Sequence, residues 1–215
     1  MRDAILFDLD GTLWDSVEGV VRSWNEVLCR HPEAKAHITP EQLAGYMGKT
    51  TGEIAALMMP SLPEEQALAI MAECAAHEHD YLRAHGGGRL YEGLLPTLQT
   101  LCKQYDLYII SNCESGYIEV FLDVHSAGEY FCGHTCPGDT GLTKAGNISL
   151  ILEKAGHPRA FYVGDTDGDE RAARQAGVPF VYASYGFGKA ISPDAVLSHF
   201  CDLPALAARL FSQMN

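Results

Sequence analysis

Four short apolar runs, each ending in polar residues, constrain this chain most: "AILFD" at Ala4–Asp8, "LYIIS" at Leu107–Ser111, "FYVGD" at Phe161–Asp165 and "PFVYAS" at Pro179–Ser184. Each is too short for a helix and too apolar for a strand with one wet face, so each predicts a buried parallel strand. Helical patterns separate them: "GLLPTLQTLCKQY" before the second run, "GYIEVFLDV" after it, "NISLILEKAG" before the third and "DERAARQAG" before the fourth. Alternating strand and helix predicts an α/β fold with a Rossmann-like, doubly wound parallel sheet. In such sheets ligands sit at the carboxyl ends of the strands, which here places Asp8, Ser111 and Asp165 at the functional edge.

One stretch breaks the rhythm. From about Asp15 to Gly88 there is no strand-like run, and Val17, Val20, Val21, Trp24, Val27 and Leu28 recur at helical spacing. Further helix starts follow at "TPEQLAGYMG", "TGEIAALMMP" and "LPEEQALAIMAECAAHEHDYLRAH", with Thr39 and Pro40 as a cap and first-turn pair. The expectation is a helical cap domain over residues 15–88, inserted into a catalytic core made of 1–14 and 89–215. Gly86–Gly88 supply a flexible joint at its end.

Composition excludes several classes. A formal charge of −13 does not suit a protein that tracks a nucleic-acid backbone. No apolar run reaches the length of a membrane span. The start "MRDAILFD" lacks the apolar core and cleavage site of a secretory signal, and the seven cysteines follow no framework spacing. A cytoplasmic protein with free thiols, monomeric or homodimeric, is expected.

The functional reading begins with Asp8 and Asp10. Two apart on extended backbone, they point to the same side, and neither carboxylate is cheap to desolvate without a cation, ligand or water. Gly11 permits a sharp turn and Thr12 offers a hydroxyl. Ser111 and Asn112 end the second run; Lys144 precedes a helix expected to start near Asn147; Asp165, Asp167, Asp169 and Glu170 follow the third run. Carboxylates gathered from two strand ends suit a hard cation such as Mg²⁺. A carboxylate can attack phosphorus, a second can protonate the leaving oxygen and then activate water, and lysine and hydroxyls can hold the other phosphoryl oxygens.

At these residues the sequence resembles the haloacid dehalogenase superfamily, and within it phosphatases with a helical cap after the first strand. "DLDGT" at Asp8–Thr12, "IISN" at Ile109–Asn112, Lys144 and "VGDTDGD" at Val163–Asp169 are similar to its four motifs, in order. "YEGLLPTLQTL" and the late "YGFG" at Tyr185–Gly188 are similar to phosphoglycolate-phosphatase-like members. The resemblance implies Asp8 as nucleophile and Asp10 as acid/base. It also implies phosphate contacts from Thr12, Ser111, Asn112 and Lys144. Mg²⁺ would be bound by Asp8, the Asp10 carbonyl and Asp165, with Asp169 reaching it through water or from behind the ligands. The expected substrate is a small phosphorylated metabolite of phosphoglycolate, sugar-phosphate or nucleotide type. One departure is that the family usually follows its lysine closely with proline, whereas here the run is "GLTKAGNIS".

Alternatives stay open beside this reading. A phosphosugar mutase of the same superfamily shares the cap and both aspartates, although Thr12 favours hydrolysis. A phospho-acceptor module and a degenerate binding subunit are the non-enzymatic options. Lys49, between two cap helices, reads either as a solvated lysine or as a contact to the substrate's non-reacting end. Trp24 reads as core. Cys132, His134 and Cys136 are too crowded for a zinc site. "HEHD" at His77–Asp80 lacks the spacing of a metalloprotease helix and is expected to be a solvated face. Asp167 is either a solvated loop acid or a helper behind the metal ligands.

Overall fold

The computed structural model describes residues 2–156 and 159–214. Its centre is a six-stranded parallel sheet. β1 (Ala4–Phe7) lies in the middle, and the remaining sheet strands are β4 (Asp106–Ile110), β5 (Gly133–Thr135), β6 (Ala160–Gly164), β7 (Phe180–Ala183) and β8 (Ala195–Leu197). Their spatial order is β5-β4-β1-β6-β7-β8. A separate antiparallel ribbon is made by β2 (Trp14–Asp15) and β3 (Arg89–Leu90), with Trp14 opposite Leu90 and Asp15 opposite Arg89.

All four residues of β1 are buried, because helices cover both faces of the sheet. Ile5 and Phe7 turn to one apolar cluster, Ala4 and Leu6 to the other, as the two-residue period of a strand requires. Phe7 meets the rings of Phe131 and Phe200. The core helices are α5 (Leu94–Leu101), α6 (Tyr117–Val124), the short α7 (Pro137–Thr140), α8 (Lys144–Ala155), α9 (Asp167–Gln175) and α10 (Leu203–Gln213). α8 starts at Lys144 itself, not near Asn147 as expected. The Thr143 hydroxyl accepts from the Gly146 amide at 3.2 Å, and this cap places the lysine in the first turn.

The helical insert consists of α1 (Val17–Leu28), α2 (Pro40–Ala44), α3 (Thr51–Met58) and α4 (Glu64–Ala84). Thr39 caps α2 in a reciprocal box with Gln42, and Thr50 caps α3 in the same way with Glu53. Apolar stripes on α1 and α4 join one cluster, and at Gly19 the helices approach so closely that a Cβ would lie 2.6 Å from Leu82. The insert leaves and rejoins the core through β2 and β3. Gly86 and Gly87 take φ of 84° and 73°, and a Cβ on Gly88 would lie 2.9 Å from the Asp15 carbonyl oxygen. Among the described residues, no helix is long and apolar enough to cross a membrane.

Candidate active site

The register of the sheet assembles the site. Phe7 pairs with Val163 and with Ile109, so the residues just past the ends of β1, β4 and β6 emerge at one edge: Asp8, Ser111 and Asp165. All three are buried, at 2 %, 4 % and 0 % exposure. Lys144 reaches this edge from the first turn of α8. Its Nζ donates to Asp8 Oδ1 at 2.9 Å and to Asp169 Oδ1 at 2.6 Å. Asp169 is also the N3 residue of α9, where its Oδ2 accepts from the Thr166 amide at 3.0 Å and hydroxyl at 2.7 Å. It is thus both a helix cap and a partner of the lysine.

Asp165 is held on one side only. Its Oδ2 accepts from the amides of Phe187 at 2.7 Å and Gly188 at 3.2 Å, which gives the "YGFG" segment a physical role. Its Oδ1 is buried without a hydrogen-bond partner among the described residues. The chain crowds round this carboxylate: at Gly11, with φ 80°, a Cβ would lie 2.3 Å from Asp165 Oδ2, and at Gly186 a Cβ would meet the Asp165 side chain at the same distance. Oxygens of Asp8, Asp165 and Asp169 all lie within 4.8 Å of one another. Three carboxylates and one ammonium leave surplus negative charge, and the orphaned oxygen and all-oxygen donor set fit a hard divalent cation.

The electrostatics carry the mark of that surplus. Burial, then the charge of Asp169, pushes the Asp8 carboxyl up to about 7, against the pull of Lys144. Burial, then the charges of Asp169 and Asp8, holds Asp165 well above its ordinary value, against the amides of Phe187 and Gly188. Burial alone would lower the Lys144 ammonium, but the charges of Asp169 and Asp8 hold it well above its ordinary value.

Asp10 sits in a different setting. Its Oδ1 accepts from the Trp14 indole at 2.9 Å and the Ser16 hydroxyl at 2.6 Å, and the Tyr117 hydroxyl lies 3.0 Å away. Burial raises its pKa, and these donors oppose the rise. Donors gathered on Oδ1 keep that oxygen an acceptor, so a proton held by Asp10 belongs on Oδ2.

A cavity of about 80 Å³ lies between core and insert. From the core it is lined by Asp8, Asp10, Ser111 and Asn112, and from the insert by Lys49, Trp24 and Glu78 among others. Lys144, Asp165, Asp169 and Thr12 are not in this lining. The Thr12 hydroxyl is buried without a hydrogen-bond partner among the described residues, and the Thr12 carbonyl accepts from the Tyr185 hydroxyl at 3.0 Å. The Asn112 amide donates to the Gly48 carbonyl at 2.9 Å and so ties core to insert. Lys49 is partly buried on the loop between α2 and α3.

One expectation needs correcting. "HEHD" is not a solvated face throughout, because Glu78 turns inward and is 7 % exposed. It belongs to a stripe of Met71, Cys74, Glu78 and Leu82 on α4, and that spacing was the available signal. Trp24 is core, as expected, but it also lines the cavity and donates to Glu78. Asp167 is a surface acid paired with Arg171 one helical turn on. Cys132 is exposed, while the Cys136 thiol donates to Asp139 at 3.2 Å. Among the described residues no metal-holding group includes Cys132, His134 or Cys136. Ser16, Trp14 and Tyr117 were missed as companions of Asp10.

A buried acidic centre at the carboxyl edge of a parallel sheet, neutralised in part by one lysine and roofed by an inserted set of helices, defines a Rossmann-like α/β protein with a cap over its acidic edge. The sequence profile of the haloacid dehalogenase-like hydrolase family matches residues 5–183, and the chain belongs to that family. Similar relatives include a protein named phosphoglycolate phosphatase from Agrobacterium fabrum, 30 % identical, with 97 % of this chain and 94 % of that protein aligned. Another, from Aliivibrio fischeri, is 29 % identical over 91 % of this chain and 92 % of its own length. Among solved structures, a protein from Bacteroides fragilis named for its likeness to haloacid dehalogenases superposes with a TM-score of 0.81. It is 26 % identical, with 94 % of this chain and all of the other covered. CbbY from Rhodobacter sphaeroides, solved in complex with phosphate, gives a TM-score of 0.77 at 22 % identity, covering 94 % of this chain and 96 % of its own. At that identity the likeness concerns the fold.

Proposed function

We propose that the protein is a phosphatase that hydrolyses a small phosphate monoester through an aspartyl-phosphate on Asp8. One observation carries this reading. A buried carboxylate, Asp8, stands at the cavity floor with Lys144 on its Oδ1 and a second acid, Asp10, beside it. The relatives named phosphoglycolate phosphatases support the substrate class, a short phosphorylated metabolite, as does the small size of the cavity, about 80 Å³.

Lys144 engages Asp8 Oδ1 and leaves Oδ2 to attack phosphorus. The phosphorus–oxygen bond to the alcohol breaks, and Asp10 Oδ2 delivers its proton to the departing oxygen. Asp10, now a carboxylate, takes a proton from water, which attacks phosphorus and frees Asp8 and inorganic phosphate. Ser111, Asn112, Thr12 and Lys144 are the groups we assign to the phosphoryl oxygens. Mg²⁺, when bound, would be held by Asp8, the Asp10 carbonyl and Asp165, with Asp169 behind them, and supplies positive charge that offsets repulsion between two anions. Residues 15–88 act as the cap that excludes water, and Lys49 lines the cavity from the loop between α2 and α3.

The test is phosphate release from a panel of phosphorylated metabolites with and without Mg²⁺. Metal-dependent turnover that vanishes in Asp8→Asn supports the reading. Turnover that survives in Asp8→Asn refutes it, and a phosphorylated sugar accumulating with slow phosphate release assigns the protein to the mutases.

A further inference from the structure

The roof of the cavity carries a carboxyl that the phosphatase reading leaves unused. Glu78 is 7 % exposed and lines the cavity from α4. The Trp24 indole donates to its Oε2, and no other hydrogen bond reaches its carboxylate among the described residues. Around it the wall is largely apolar, with Val20, Met71 and Ala75.

The other charged and titratable groups facing the cavity do not balance Glu78. Asp10 lies below it with the same sign, and Glu114 accepts from the Thr51 hydroxyl. Burial lowers the pKa of the His79 imidazole, which disfavours its charged form. Lys49 comes from the loop between α2 and α3 and makes no ion pair among the described residues. Burial, then the charge of Asp10, pushes Glu78 up to about 8. A carboxyl in this setting lacks a second hydrogen-bond partner, and the cavity is the direction from which a ligand can bring one.

We propose that Glu78 and Trp24 form the selectivity end of the site, receiving a hydroxyl or ammonium at the far end of a short phosphate ester and turning away a carboxylate. The proposal rests on the reading of Asp8 as the phosphoryl acceptor, which fixes which end of the ester faces the core. A hydroxyl satisfies Glu78 in either protonation state, because it can donate or accept. An ammonium donates to the ionised form and adds a compensating charge. A carboxylate would be a further desolvated anion beside Asp10 and Glu78. The chain would then depart from the specificity that its relatives' names announce.

The experiment compares ethanolamine phosphate, glycerol phosphate and phosphoglycolate by kcat/KM on the Mg²⁺-loaded protein, in wild type, Glu78→Gln and Glu78→Lys. The same esters are titrated calorimetrically into Asp8→Asn protein, which needs no turnover. Wild type should favour the hydroxyl and ammonium esters over phosphoglycolate by about tenfold in both measurements. Glu78→Gln, which keeps hydrogen bonding but not charge, should reduce the ammonium preference and spare the hydroxyl one. Glu78→Lys should turn the order toward phosphoglycolate. A wild-type preference for phosphoglycolate overturns the proposal, as does an unchanged order in both variants with melting curves like wild type. If no ester is hydrolysed but the calorimetric order holds, the phosphatase reading fails and the role of Glu78 stands.

Discussion

The Ser16 hydroxyl lies 2.6 Å from Asp10 Oδ1, so the residue that begins the first cap helix holds the proposed acid/base of the core. Tyr117 completes the arrangement, with its hydroxyl 2.9 Å from Ser16 Oγ. These donors stabilise charge on Asp10 against the cost of burial. Ser16→Ala should therefore raise the Asp10 pKa further and lower kcat by about tenfold, equivalent to a lost charged hydrogen bond of about 1.5 kcal/mol. The pH profile of kcat, compared with Tyr117→Phe, checks this. An unaltered profile in both variants contradicts it.

Asp8→Asn should abolish turnover and keep the fold, since an amide cannot replace the attacking oxygen. Asp10→Asn should cost roughly 10²–10⁴-fold in kcat. Acid-quench mass spectrometry of wild type during turnover should find the phosphoryl group on Asp8. Its recovery on another side chain rejects the assignment.

Chelation should remove activity and Mg²⁺ restore it, while Ca²⁺, with longer and looser coordination, should inhibit. A readout independent of activity exists as well. Mg²⁺ at about a hundred times its Kd should stabilise the protein by about 2.7 kcal/mol, visible as a rise in melting temperature. Asp165→Asn should suppress that rise, because Asp165 Oδ1 is a buried carboxylate oxygen without a hydrogen-bond partner among the described residues. A melting temperature indifferent to Mg²⁺ in wild type counts against the metal site.

Glu78 should make stability depend on pH. Its folded-state pKa is raised from 4.5 to about 8, so between these values the native state holds the proton more tightly than the unfolded chain. Stability from this group is full below about 4.5 and is lost as pH rises through about 8. Asp10 and Glu114 reinforce the shift, and the neutral Trp24 indole only moderates it. Denaturant melts at pH 5 and pH 8.5 should show wild type losing more stability over that interval than Glu78→Gln. Parallel losses would place Glu78 in a wetter setting than the structure does.

Gly11→Ala should damage the site more than a loop change normally does. Backbone at φ 80° costs an alanine about 1–3 kcal/mol, and its Cβ would strike Asp165. Loss of Mg²⁺-dependent stabilisation together with activity is the expected result, measured by melting with and without the ion.

Much of this was legible in the chain because buried parallel strands cannot hide their composition. "AILFD", "LYIIS", "FYVGD" and "PFVYAS" mark the four inner strands, and the acids and serine at their ends mark the site. The edge strands were not legible. β5 is "GHT" and β8 is "AVL", three residues each, and their strand character comes from pairing with Tyr108–Ile110 and Val181–Ala183 rather than from their own pattern. The β2–β3 ribbon escaped for the same reason. Lys144 was found, but not its two carboxylate partners, since a distance between Lys144 and Asp169 is set by how α8 and α9 pack on the sheet. Glu78 was misread because a charged residue in a polar tetrapeptide looks wet until its neighbours on the helix stripe are counted.

The two-residue ribbon in which Trp14 faces Leu90 has an effect beyond anchoring. It brings the two ends of a long insertion side by side, so the sheet experiences that whole segment as a short hairpin. Helices between the two strands can be lengthened, reshaped or exchanged while the spacing at the exit points stays fixed. On the proposed reading, chemistry and selectivity would be carried on separable parts of one chain: the acids on the sheet edge, and the surface that inspects the ligand on a replaceable module. A graft of residues 17–84 from a relative with another preference should transplant that preference and leave the reaction itself where it was.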